Sequence, residues 1–337
     1  MLDERKRSIL RAIIENYVQT AEPVGSRTIA RKHNLGVSSA TIRNEMADLE
    51  ETGYLQQPHV SAGRIPSDKG YRFYVDMLME PHPFSRGEYI QIQKDIYSAY
   101  NGLEKAIYEA ARLVSLLTQS IAVVVAPSTD DLVFKHLHLV TLDKNSVLAT
   151  LVLQAGIVKN KLIRTEEELV SEEVQNISTA LSRRLKGTTY RDLGPTIFAE
   201  VTRDFGEIGR ILVELVLQGL MEEKEEQVYS SGTVNIFNQP EFRDPERAKS
   251  LLETLEEKDH LLRLLNAASK TSGVQVVIGH ENEHNAMQEC SLVTCTYYVG
   301  GDVVGILGAI GPTRMQYSRV VSAVGLVAAS LSTLLTE

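Results

Sequence analysis

Two groups of residues in this 337-residue chain have types and spacing that suit chemistry. The first is the run Ser38-Ser39-Ala40-Thr41-Ile42-Arg43-Asn44-Glu45-Met46-Ala47. At 100° per residue, Ile42, Met46 and Leu49 fall on one side of a helix, which turns Ala40, Thr41, Arg43, Asn44 and Ala47 to the other. Arginine matches O6 and N7 of guanine, asparagine matches N6 and N7 of adenine, and small residues let a helix approach base edges. Glu45, Asp48, Glu50 and Glu51 would repel phosphate, so the N-terminal half is the part expected to enter a groove. The second group is His280-Glu281-Asn282-Glu283-His284, which satisfies the H-E-x-x-H pattern of zinc hydrolases. That chemistry needs both histidines on one helical face and the glutamate as base. Here the motif follows the strand-like Val274 to Ile278 and Gly279 and has no apolar helix face. It reads as a solvated loop, and a zinc hydrolase using His280, Glu281 and His284 is the remote alternative.

Other chemical signals are weaker. His136 and His138 alternate on a strand and share a face, but no third ligand is evident. Cys290 and Cys295 are too few for a disulfide framework and read as packing residues in a reducing cytoplasm. Gly305, Gly308 and Gly311 have the wrong spacing for a dinucleotide loop. No Ser/His/Asp set has workable spacing, so no catalytic residue, cofactor or metal is expected, and the chain reads as a non-enzyme.

The reading surface needs a scaffold, and the first 79 residues predict one. Ile9, Leu10, Ile13, Ile14 and Tyr17 share a face of a helix starting near Asp3. Ser26 is expected to cap a short second helix reaching about Lys32. Gly36 supplies a turn, and Ser38 or Ser39 caps a third helix ending before Gly53. Short strands at Tyr54 to Gln56 and Arg64 to Pro66 would flank a tip at Pro58 to Gly63, and Ser67-Asp68 opens a further helix. Helix, short helix, glycine turn, helix and ribbon is a winged helix-turn-helix layout. His59, Ser61 and Arg64 at the ribbon, with Lys69 and Arg72 nearby, become candidate contacts to phosphates or a minor groove. The full candidate DNA-binding set is Ser38, Ser39, Ala40, Thr41, Arg43, Asn44, Ala47, His59, Ser61, Arg64, Lys69 and Arg72.

Charge is partitioned in the same sense. Residues 1–75 carry 11 Lys/Arg against 9 Asp/Glu, whereas residues 76–337 carry 24 against 35. A mildly basic head on an acidic body excludes indiscriminate coating of nucleic acid and leaves the head as the part that docks. The charged start Met1 to Arg7 is not a secretory signal, and the apolar Val320 to Leu335 is shorter than a bilayer span, so a cytoplasmic protein without membrane association is expected.

Glu80-Pro81-His82-Pro83-Phe84 marks a boundary, and 80–99 reads as linker and helix. Helical periodicity runs from about Glu88 to Gln119. Strands follow at Ile121 to Ala126, Phe134 to Leu142, Val147 to Leu153 and Ile157 to Ile163. Helices are expected over Glu172 to Leu185 and from Ile197 to about Glu223. A strand is expected over Tyr229 to Phe237, and a helix from Asp244 through Leu265. Strands at Val274 to Ile278, Leu292 to Tyr298 and Val303 to Ile310 precede a closing helix. This is a multidomain α+β chain in which a body domain carries an insertion.

The runs Val37 to Glu50, Gly53-Tyr54-Leu55, Pro58 to Pro66 and Gly70-Tyr71-Arg72 resemble the heat-inducible transcription repressor family, HrcA. The resemblance continues in Asn238-Gln239-Pro240-Glu241-Phe242 and in Gly311 to Ser318. Val60 stands where the wing motif leads one to expect threonine. What the resemblance implies is a winged-helix head over 1–79, a GAF-like body over 100–145 and 235–337, and an inserted dimerising domain over 145–235. It further implies a homodimer on an inverted-repeat operator before chaperone genes, with the chaperonin as a second partner that keeps the repressor active. A metabolite-responsive repressor with a ligand in the GAF-like domain is the rival reading.

Overall fold

A computed structural model describes residues 2–33, 35–59, 62–98, 102–126, 132–154, 157–189, 192, 195–221, 227–268, 273–299 and 302–336. Asp3 caps α1 (Glu4–Thr20) by accepting from the Lys6 N–H at 2.8 Å. Next come α2 (Ser26–Lys32) and α3 (Ser39–Glu51). Ser26 is not the cap of α2 as expected: Gly25 holds that position, without a side-chain bond. Ile9, Leu10, Ile13, Ile29, Ile42 and Leu49 are fully buried and form the centre of the head. The antiparallel ribbon of β1 (Leu55–Gln56) and β2 (Ile65–Pro66) is followed by α4 (Asp68–Phe73), which continues as a wider π-turn through Leu78.

The helical periodicity from Glu88 to Gln119 resolves into two helices, α5 (Arg86–Ser98) and α6 (Leu103–Thr118). Gly102, at φ +118°, starts the second, a conformation that a side-chain-bearing residue rarely takes. In chain order there follow β3 (Ile121–Val125), β4 (Phe134–Asp143), β5 (Ser146–Leu153), β6 (Val158–Arg164), α7 (Ser171–Leu185) and α8 (Pro195–Met221), the last broken at Gly206. The remaining elements are β7 (Val228–Ser231), α9 (Pro245–Glu256), α10 (Lys258–Ala268), β8 (Val274–Ile278), β9 (Cys290–Val299), β10 (Asp302–Pro312) and α11 (Tyr317–Thr336). The expected strand to Phe237 stops at Ser231, where Gly232 takes a left-handed turn into a 3₁₀ segment, Thr233–Asn238. The single helix expected from Asp244 to Leu265 is α9 and α10.

The body is a five-stranded antiparallel sheet in the order β7-β3-β10-β9-β8. Alternation sends Ala122, Val124, Leu307 and Ala309 to the side of α6 and α11. Ile121, Val123, Ile306 and Ile310 go to the side of Leu251, Leu261 and Leu265 from α9 and α10. Helix α11 is 20 residues, longer than expected and apolar enough to span a bilayer, but half of that span is buried within the protein. The fold is therefore mixed α+β.

A separate three-stranded sheet, β4-β5-β6, lies between β3 and β7 in sequence. Residue 145 falls in the turn joining β4 to β5, so a boundary there would cut a hairpin whose strands pair from Phe134↔Leu153 to Asp143↔Ser146. Strands β3 and β4 belong to different sheets. Helix α7 covers the inner face and also one edge: its Ser182 and Ser178 hydroxyls accept from the Leu137 and Leu139 N–H groups of β4 at 3.2 and 2.9 Å. That protects an otherwise unpaired strand edge.

Cys290 is fully buried beside Leu292, and burial pushes its thiol up to about 12. Alkylation with iodoacetamide at pH 8 is expected to leave Cys290 unmodified until the protein is denatured, because the thiolate is the nucleophile. Mass mapping of peptides before and after denaturation checks this.

Candidate nucleic-acid interface

Helix α3 is built as its sequence dictates. Ser38 caps it, its Oγ accepting from the Thr41 N–H at 3.1 Å and lying 3.0 Å from Thr41 Oγ1. The helix ends in a Schellman turn, with Tyr54 N–H donating to Leu49 O and Gly53 N–H to Glu50 O, and Gly53 at φ +80°. Ile42, Met46 and Leu49 are buried, whereas Ala40, Arg43, Asn44 and Ala47 are exposed and Ser39 and Thr41 half-buried. Arg43 has no ion pair among the described residues.

The acidic side of α3 is neutralised from within the head. Lys6 lies 3.2 Å from Glu45 and 3.0 Å from Asp48, and Asp48 and Glu45 together raise the Lys6 pKa. Arg5 also reaches Glu45, at 3.5 Å. Glu50 is paired with Arg64 at 2.7 Å. Three of the four carboxylates expected to repel phosphate thus carry local counter-charges, a tertiary arrangement that helix periodicity does not reveal.

The remaining candidates divide by position. His59 is exposed at the ribbon tip, and Ser61 lies outside the described residues. Arg64 is half-buried, its backbone paired with Val24 at 2.9 Å in both directions and its guanidinium on Glu50. Lys69 donates to Thr52 O at 2.8 Å and sits 4.6 Å above the Tyr54 ring, so its charge meets the carbonyl end of α3. The Arg72 guanidinium faces the body and away from the α3 face, donating to Glu281 at 2.8 and 2.5 Å and to the Val276 carbonyl at 2.6 Å. Sequence reading passed over Arg27, Arg31 and Lys32, exposed on α2 and without ion pairs among the described residues. The available signal was Ile29, whose burial turns these cations outward.

Gly63 makes the ribbon possible. A Cβ there would lie 2.5 Å from the Val24 carbonyl carbon and oxygen, which cannot move without breaking the Val24–Arg64 pairing. Gly63→Ala is expected to destabilise the head by about 1–3 kcal/mol, as overpacking does. Thermal unfolding followed by circular dichroism reads the effect.

Comparison with known proteins gives the surface its context. Over 337 residues the chain is 42% identical to the heat-inducible transcription repressor HrcA of Pelotomaculum thermopropionicum, covering 99% of this chain and 97% of the relative. The chain belongs to the HrcA family. The HrcA repressor of Acetivibrio thermocellus is 42% identical over 328 residues, covering 96% and 93% of the two chains. The family profile described as the HrcA protein C terminal domain matches residues 104–321. A solved structure described as a hypothetical protein is 25% identical with a TM-score of 0.64, covering 99% of this chain and 98% of its own. HrcA relatives are named as heat-inducible transcription repressors, so this is a chain of that class.

Within this HrcA chain the H-E-x-x-H residues do not form a helical face. His280 and Glu281 lie on one 3₁₀ turn and His284 precedes another. Glu281 is held by Arg72, His280 Nδ1 lies 2.7 Å from Asp68 Oδ2, and His284 packs its ring on His260 at 4.0 Å. The three side chains serve three different contacts and do not converge as zinc ligands with a base. His136 and His138 share a face as expected, their rings 6.3 Å apart.

Proposed function

We propose that this chain represses chaperone genes by binding an inverted-repeat operator as a homodimer. The supporting observation is the exposed Ala40-Arg43-Asn44-Ala47 face of α3, backed by a buried Ile42-Met46-Leu49 side and relieved of acidic repulsion by Arg5, Lys6 and Arg64. The head is a winged helix in which α3 lies in the major groove and the ribbon tip at His59 reaches the adjacent backbone. Ser38, Ser39 and Thr41 sit at the entering end, and Arg27, Arg31 and Lys32 on α2 are positioned for phosphates. Lys69 and Arg64 orient α3 and the ribbon, and Arg72 leaves the set.

The dimer surface we assign is the outer face of β4-β5-β6. Cross-strand register aligns Val140, Leu148 and Leu162 in one row and puts Val152 beside Val158 in another, with His138, Thr150 and Asn160 between. Val140, Leu142, Val158 and Leu162 are each about half exposed, at 51%, 57%, 53% and 46%. Half-exposed apolar rows on a sheet face of this kind mark an association surface. A second copy suits it because the same face offers both apolar rows and the polar row between them to its twin.

The five-stranded domain is GAF-like in this reading. The cavity against Ile121, Ile236, Phe242 and Ile310 is about 10 Å³, room for a water. That cavity is too small for a metabolite, and in this reading the controlling partner is a protein. The chaperonin maintains competent dimer, and heat diverts it to unfolded clients. Adding chaperonin to the purified repressor should raise the fraction active in operator binding, and an unchanged fraction would count against this control.

Electrophoretic shift on chaperone-promoter DNA, with scrambled competitor and a salt series, tests the reading. Specific binding is expected to survive competitor and to weaken with salt at a log–log slope of about −0.9 per phosphate contacted. Equal binding to scrambled DNA would overturn it.

A further inference from the structure

Head and body meet through side chains that take no part in the proposed reading of bases. At one station Arg314, only 11% exposed, forks onto Glu241 at 2.6 and 3.2 Å, reaches Gln239 at 3.2 Å and donates to the Val18 carbonyl near the end of α1 at 2.6 Å. The second station lies on α4. Arg72 forks onto Glu281, whose Oε2 also accepts from the Ile278 N–H at 2.8 Å. Beside it Asp68 accepts from the His280 backbone at 2.9 Å and meets its ring nitrogen at 2.7 Å. A Cβ on Gly279, at φ +51°, would come within 2.3 Å of the Asp68 carboxylate, so a larger residue would push Asp68 away from His280. Between the stations the rings of Tyr71 and Tyr317 are 5.6 Å apart, both fully buried. Further along the chain, Ser318 donates to the Glu80 carbonyl at 2.5 Å and the His82 N–H donates to Ser322 at 3.0 Å.

Forked arginine–carboxylate pairs fix orientation as well as distance. One of them, Arg72–Glu281, spans head and body, and the other, Arg314–Glu241, lies within the body and holds Arg314 for its bond to the Val18 carbonyl, so contacts on two different head helices oppose rotation about either alone. The exposed face of α3 stays clear of both, so the joint aims the head without covering it. We infer that Arg314, Glu241, Arg72 and Glu281 are positioning residues that fix head separation in the dimer and thereby select the spacing between half-sites that the repressor accepts. The inference rests on the proposed dimeric operator binding. Each base pair added between half-sites turns the second by about 35° and moves it along the helix, so rigid heads accept one spacing and loosened heads accept several.

The test measures affinity for operators with the spacer changed by −2 to +2 base pairs, using the full-length protein and Glu281→Gln, Arg314→Lys and Gly279→Ala. The unsubstituted dimer is expected to lose about 100-fold affinity at ±2 base pairs, and the variants about tenfold or less, because a looser tether spreads effective concentration over more geometries. Sedimentation and circular dichroism establish that each variant is folded and dimeric. Folded variants that keep the original spacing profile, or that lose affinity equally at every spacing, would overturn the inference.

A second measurement separates this from the repressor reading itself. With Cys290 and Cys295 replaced by alanine, spin labels at exposed Glu51 and Glu256 report head–body distances within one chain. The distribution should be narrow and broaden in the variants. If the unsubstituted protein binds no operator at all, the repressor reading fails, and an unbroadened distribution independently sinks the joint.

Discussion

Leu148→Asp is expected to yield a folded monomer. Leu148 lies on the central strand of the small sheet and points away from the α7 side, between Val140 and Leu162. A carboxylate there remains hydrated in a lone chain but must be stripped of water against a second apolar face, which a paired interface cannot tolerate. The change should leave the unfolding transition of the chain nearly in place while sedimentation shifts to single-chain mass. Operator affinity should fall by about 100-fold or more, since the second head no longer binds as a tethered group. Retained dimer mass would place the association surface elsewhere on the molecule.

Arg43→Ala is the second large effect. Its side chain is exposed and without an ion pair among the described residues, so its removal disturbs no packing. It should cost about 1–3 kcal/mol of specific binding per half-site, the range for one bidentate arginine–guanine contact. Dimer mass and melting should not change, and affinity for scrambled DNA should drop only slightly. Replacing guanines of the half-site by 7-deazaguanine gives a double cycle: where Arg43 reads N7, the deaza base and the alanine variant should not add. Fully additive losses would assign that guanine to another residue.

What the sequence made legible depended on the range of the interaction. The two sides of α3 could be read because burial of Ile42, Met46 and Leu49 follows helical spacing within eight residues. The start and end of α3 were legible for the same reason, through Ser38 and Gly53. The contact of Arg72 was not legible because its partner is Glu281, 209 positions along the chain, and nothing in α4 itself marks the side it shares with Asp68 as facing the body. Periodicity also joined α5 to α6 and α9 to α10, since an apolar stripe can run on through a break that only backbone geometry exposes. The division of strands between the two sheets was hidden for a related reason: β3 to β6 read alike as β-branched runs, and only pairing with β10 and β7 separates the first from the rest. H-E-x-x-H shows the converse, a pattern whose letters match while its backbone supplies two 3₁₀ turns.

The small sheet and its helices leave the body after β3 and return just before β7, and those strands are neighbours. The Ala126 N–H donates to Gln227 O at 2.8 Å, so exit and return lie side by side. A hundred residues therefore hang from a gap that a tight hairpin could bridge. Such a module can be lengthened, exchanged or excised in evolution without shifting the hydrogen bonds of the parent sheet, and the valency of the protein can change while its vocabulary for bases stays fixed.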